Sequence, residues 1–157
     1  METLDRFDHA ILRELMRDGR QTATALASAV GLSKTPTLAR MRRMERAGII
    51  RGYTALVDPS VLDRAHVAFV EVRLDDTRER ALQTFNEAAR ALPEIEACHM
   101  IAGAFDYLLK VRTRDVAAYR RTLGERISAL PHVASTSTFV SMETVKDPVE
   151  TADARLG

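Results

Sequence analysis

The chain has 157 residues, 46% of them hydrophobic and 29% charged, with a formal net charge of +1, no tryptophan and a single cysteine. That composition is ordinary for a soluble globular protein of one domain or two small ones, with cores built from Leu, Ile, Val, Ala and Met. Cys98 alone excludes a disulfide framework, and no apolar stretch reaches the length of a membrane span or follows a basic signal-like N-terminus, so a cytoplasmic location without membrane association is expected.

The first predicted element runs from Leu4 to Asp18, where Leu4, Phe7, Ile11, Leu12, Leu15 and Met16 recur at helical spacing and Gly19 ends the run. A shorter helix follows, with Thr22 as its cap, Ala25, Leu26 and Val30 as inward residues, and Gly31 as its stop. After the turn Gly31-Leu32-Ser33 comes a third helix of about four turns. Ser33 caps it, Pro36 sits in its first turn and Gly48 closes it. Leu38, Met41 and Met44 form its apolar face, and Thr35, Ala39, Arg40, Arg42, Arg43 and Arg46 spread over the rest. Two helices joined by a short glycine-containing turn, the second exposing basic and small residues, match a helix-turn-helix whose second helix enters the major groove.

Charge supports that reading. Between Lys34 and Arg51 the cations Lys34, Arg40, Arg42, Arg43, Arg46 and Arg51 face one anion, Glu45, in a chain that is nearly neutral overall. A basic run by itself also describes a solvated helix face; on a helix-turn-helix it points to double-stranded DNA. Ser33, Lys34, Thr35 and Thr37 lie near the helix N-terminus, where base edges are read, and Arg40 and Arg43 are candidates for guanine or phosphate contacts.

Residues 49–59 read as a short strand broken at Gly52 and ending in the Asp58-Pro59 turn. Strands and helices then alternate. Residues 65–74 form a strand, 78–92 a helix with Leu82, Phe85, Ala89 and Leu92 inward, 95–102 and 107–112 two strands, 115–130 a helix with Val116, Tyr119, Leu123, Ile127 and Leu130 inward, and 133–142 a last strand. The echo of A-L-P-E-I (91–95) in A-L-P-H-V (129–133) marks two β-α-β halves, hence a ferredoxin-like βαββαβ sheet with both helices on one face. The other face is left bare and apolar, which predicts a homodimer joined through it. The division expected is a helix-turn-helix domain over 1–52, a linker strand over 53–64, the βαββαβ domain over 65–146 and a mobile tail over 147–157.

No catalytic or metal constellation emerges: His9, His66, His99 and His132 fall in different elements, and there is no phosphate loop, nucleophile elbow or HExxH. Neither an enzyme nor a cofactor is expected. In the loop 103–106, Gly103 permits backbone geometries closed to other residues and leaves room for a ligand near the main chain, and Asp106 offers a carboxylate suited to an ammonium group, although hairpin turns routinely contain both.

The runs D-R-F-D-H-A-I-L-R-E-L (5–15), V-G-L-S-K-T-P-T-L-A-R-M-R-R-M-E-R-A-G-I-I-R-G-Y-T-A (30–55) and G-A-F-D-Y-L-L-K (103–110) resemble the leucine-responsive regulatory protein/AsnC family of transcription regulators, from about Leu4 to Lys146. The resemblance implies an α+β protein with a winged-helix-like N-terminal domain and a ferredoxin-like effector and dimerisation domain. It also implies a linker that pairs with its copy in a second subunit, and dimers that assemble to an octamer. It places a free amino-acid effector between the loop, here Gly103, Ala104, Phe105, Asp106 and Tyr107, and Thr136 and Thr138 on the last strand of a neighbouring dimer. Ala104 stands where family members often carry an acid. The S-K-T-P-T-L-A-R and T-S-T-F runs resemble the proline-utilisation activators of the family, which implies proline as effector ahead of leucine, and amino-acid metabolism genes as targets. Two other readings fit the residues less fully: a nucleoid-type protein binding DNA without preference, and a ferredoxin-like small-molecule module with a helical prefix.

Overall fold

The computed structural model describes residues 3–146, so the tail expected over 147–157 lies outside the described residues. The described chain forms two compact units, one ending at Leu56 and the other starting at Val57.

The first unit holds α1 (Arg6–Arg17), α2 (Ala23–Val30) and α3 (Lys34–Arg46). The Asp5 carboxylate caps α1 by accepting from the Phe7 and Asp8 amides, and Asp8 returns the bond to the Asp5 amide, which satisfies three donors that a helix start leaves over. Thr22 caps α2 through the Ala25 amide. Gly31 and Gly48 adopt φ of 71° and 69° and end α2 and α3, a left-handed geometry in which a Cβ costs about 1 kcal/mol. Ile11, Leu26, Val30 and Met44 are buried together, with Leu12, Leu15, Met41, Ile49 and Ile50 around them. Ala25 is exposed rather than inward, and Ala27 is buried in its stead, because the phase of α2 is set by Leu26 and Val30. At the start of α3, the Ser33 side chain makes no capping bond; the Thr37 hydroxyl donates to the Ser33 carbonyl instead.

Within the single chain, the strand expected across 49–59 and the linker strand over 53–64 have no ladder partner and take no strand geometry. Residues 51–58 have no regular secondary structure, and Pro59–Leu62 makes one 3₁₀ turn whose start is capped by Asp58. A strand needs a neighbour to pair with, and the sheet ladders of the described residues leave this segment out.

The second unit follows the order expected: β1 (His66–Leu74), α4 (Glu79–Ala91), β2 (Ile95–Met100), β3 (Tyr107–Thr113), α5 (Val116–Thr122) and β4 (Val133–Val140). The strands pair antiparallel in the order β2-β3-β1-β4. Alternation sends Ala68, Val70 and Val72 of β1 and Tyr107, Leu109 and Val111 of β3 to one face, where Phe85 and Ala89 of α4 and Tyr119 of α5 cover them. The Phe85 and Tyr107 rings lie 4.4 Å apart at the centre of this core.

Two details of this unit depart from the pattern. Val116 is 59% exposed, since Tyr119 and Thr122 set the buried side of α5. That helix also runs on through a wide turn, Leu123–Ile127, closed by the Ser128 amide on the Leu123 carbonyl. The opposite sheet face is mixed rather than apolar. Phe69 lies beside Phe139 in register, and Glu96 bridges Lys110 and Arg112 at 2.8 Å each. The register of β3 accounts for this, because alternation aims Lys110 and Arg112 away from the core that Leu109 and Val111 enter.

Candidate functional site

On α3 the exposed residues are Lys34, Thr35 and Pro36 in the first turn, with Ser33 just before them, then Ala39, Arg42, Glu45 and Arg46. Thr37, expected near the base-reading end, is fully buried and its hydroxyl is committed to the Ser33 carbonyl, so it supports the turn instead of facing a groove.

Arg40 and Arg43 also differ from expectation. They do not spread over the outward face; they reach back to α1. Arg40 Nη1 donates to Asp5 Oδ2 at 2.7 Å and to Asp8 Oδ1 at 2.8 Å, and Arg43 Nη2 donates to Asp8 Oδ2 at 2.5 Å. The Asp8 side chain is 1% exposed, against 25% for Arg40 and 38% for Arg43. Burial pushes the Asp8 carboxyl up, but the Asp5 amide and the two guanidinium groups outweigh it and hold the group at about 2. Both carboxylates raise the affinity of Arg40 for its proton in return. Arg40 also stacks over Phe7, 5.5 Å from the ring centre.

The reason is geometric. Arg40 and Arg43 are three residues apart, hence neighbours on one ridge of α3, and that ridge meets α1. Sequence reading overlooked Asp8. The signal was present: Asp8 stands four residues after Leu4 and three before Ile11, on the apolar stripe, where a carboxylate needs a cation. Of the cations between Lys34 and Arg51, those left outward are Lys34, Arg42, Arg46 and Arg51.

The loop 103–106 joins β2 to β3. Asp106 staples it to the end of β1: its amide donates to the Val72 carbonyl, its carbonyl accepts from the Ile101 amide, and its Oδ2 accepts from the Leu74 amide at 2.8 Å. Gly103 and Ala104 are exposed, and Phe105 is half-buried. Gly103 does not adopt a left-handed backbone, and a Cβ there would meet Ile101 Cγ2 at an ordinary 3.5 Å, so the conformational argument for glycine at this position does not hold. Tyr107, carried over as an effector contact, turns its ring into the core against Phe85, and burial raises its hydroxyl. Only its backbone remains beside the loop.

Thr136 and Thr138 are half-buried on the helix-facing side of β4, and the Thr138 hydroxyl lies 2.6 Å from the Tyr119 hydroxyl on α5. Thr136 and Tyr107 both flank Val72 in register, so the loop and this threonine occupy the same end of the sheet with β1 between them, about 10 Å apart. They do not close on one another within one chain. Two clefts, of about 250 and 310 Å³, lie elsewhere, one lined by Arg64, Glu94 and Arg112 and the other by Asn86, Arg90 and Cys98. Among the described residues no helix is long and apolar enough to cross a membrane.

Residues 4–51 match the family described as winged helix-turn-helix DNA-binding, and residues 67–150 match the Lrp/AsnC ligand binding domain. The chain is 56% identical over 144 residues to the proline dehydrogenase transcriptional activator of Rhodobacter capsulatus, covering 92% of this chain and 94% of that protein. It is 50% identical over 143 residues to the leucine-responsive regulatory protein of Escherichia coli K12, covering 91% and 87%. Among solved structures, a transcriptional regulator from Neisseria meningitidis in complex with L-methionine superposes with a TM-score of 0.84 at 30% identity, covering 92% and 94%.

Proposed function

Because the chain belongs to the Lrp/AsnC family of DNA-binding transcription regulators, we propose that it reads a specific operator as a homodimer and that free proline adjusts this binding. One observation carries the first part: α3 presents Lys34, Thr35, Arg42 and Arg46 to solvent on the helix that follows the helix-turn-helix turn. Lys34 and Thr35 at its N-terminal end are suited to base edges, and Arg42 and Arg46 to phosphates. Arg40 and Arg43 hold the helix in position. Two copies of the second unit joined through the Phe69 and Phe139 face would set two such helices on one two-fold site.

For the effector, the loop 103–106 offers a main chain fixed by Asp106, and β4 offers the hydroxyls of Thr136 and Thr138. The two sets do not meet within one chain, and the family resemblance supports a ligand held between the loop of one dimer and the threonines of a neighbouring one, in an octamer of four dimers. Ala104 leaves the rim uncharged, which favours a small apolar amino acid such as proline over a basic one. The likeness to the Rhodobacter activator supports proline and a proline-catabolic target. A ligand at such a junction changes how many half-sites are engaged together. A cytoplasmic setting fits DNA as the partner.

Isothermal calorimetry against a panel of amino acids, followed by operator binding with and without the best ligand, tests the reading. Heat with leucine and none with proline would overturn the effector assignment. Equal competition by unrelated duplex at physiological salt would favour binding without preference.

A further inference from the structure

The pairing of Asp8 with the two arginines has a bearing on specificity that goes beyond fold stability. Counterion release makes every cation that reaches a phosphate add to affinity for any duplex, whatever its sequence. A recognition helix with all its arginines outward would therefore gain on unrelated DNA as much as on its operator. On α3, two arginines are withdrawn from that role. Asp8 accepts from the Asp5 amide, from Arg40 and from Arg43, so both of its oxygens are engaged. Asp5 accepts from Arg40 while capping α1. For either guanidinium to leave for a phosphate, a carboxylate that is 1% exposed would be stripped of a cation partner.

We propose that Asp8 is a specificity-setting positioning residue, whose buried carboxylate withholds Arg40 and Arg43 from the phosphate backbone and so keeps affinity for unrelated duplex low relative to the operator. Lys34, Arg42 and Arg46 are then the cations of α3 that touch DNA. The inference rests on the DNA-binding reading of α3 given above.

The test is the salt dependence of binding to an unrelated duplex, measured by fluorescence anisotropy with the full chain, its fold checked by circular dichroism. In Asp8→Asn the two arginines lose the carboxylate they share, Arg40 keeping its bond to Asp5, and the slope of log affinity against log salt steepens by about 1, at about 0.9 per contact. The operator-to-unrelated affinity ratio falls at the same time. The double variant Arg40→Gln/Arg43→Gln, in the presence of Asp8, leaves the wild-type slope unchanged. A slope shallower by about 2 in that double variant would show the arginines on phosphates in the native complex and overturn the proposal. So would an unchanged slope in a folded Asp8→Asn chain. If Asp8→Asn does not fold, the double variant decides alone. Wild-type protein that binds no duplex would defeat the DNA-binding reading itself and the proposal with it, an outcome distinct from either slope result.

Discussion

Acidification from near pH 6 to near pH 3 should weaken the N-terminal unit, in part through Asp8. Its carboxyl has an unperturbed value of 3.8 and is held at about 2 in the folded chain. With the folded value below the unfolded one, the ionised form stabilises the fold. The contribution is complete above about pH 5 and disappears as pH falls toward 2. At 1.36 kcal/mol per tenfold change in proton affinity the whole effect would be about 2.4 kcal/mol. Arg43 is 38% exposed and Asp5 49%, so solvent screens part of the attraction, and we take about 1–2 kcal/mol. Roughly half of that is lost by pH 3. The assay is urea unfolding of wild type and Asp8→Asn at both pH values, followed through the amide resonances of α1 and α3 so that this unit is read by itself. At pH 6 the variant is less stable by at least this amount, and the gap narrows by about half at pH 3. A gap of equal size at both, or none at pH 6, would refute the electrostatic account of this helix pair.

Three further outcomes follow from the packing and the exposed cations. Phe85→Ala removes a fully buried ring that touches Tyr107, and the second unit loses about 3–5 kcal/mol in chemical denaturation. Tyr119→Phe deletes the bond to Thr138 and costs about 0.5–1.5 kcal/mol in the same measurement; proline affinity measured by calorimetry changes in that variant if Thr138 contacts the effector. Arg46→Ala lowers affinity for operator and unrelated duplex alike and makes the salt slope of anisotropy titrations shallower by about 1, whereas a loss confined to the operator would place Arg46 on a base.

The βαββαβ order was legible because each strand and helix of the second unit carries its own apolar period, and Val70, Leu109 and Phe85 reach the core that those periods imply. The helix-turn-helix was legible for a similar reason, reinforced by stop signals at Gly31 and Gly48 whose left-handed backbone is realised. What escaped was the partnership of charges. A helical wheel of α3 places Arg40 and Arg43 on its polar side, but it contains no α1, and the carboxylates that claim them lie more than thirty residues earlier. Thr37 escaped in the same way, since proximity to a helix N-terminus says nothing about which neighbour lies over it. At the ligand loop, the residues could be named but not their orientation: Tyr107 is the first residue of β3, and the alternation of that strand sends its ring into the core, away from the loop.

The wide turn at Leu123–Ile127 has its own consequence. Tyr119 and Ile127 are eight positions apart, and in a regular helix, at about 100° per residue, they would diverge by about 80°. Both are nonetheless buried against the same sheet, because the turn takes up one extra residue and brings them back into phase. The surplus residue works as a rotational shim. Winding all of these residues into a uniform coil would swing Ile127 and Leu130 away from β1 and β3, whereas excising Gly124 would leave Tyr119 and Ile127 seven apart and about 20° from alignment, so at this length the irregular backbone, and not the regular one, is what lets the helix end flush with its sheet.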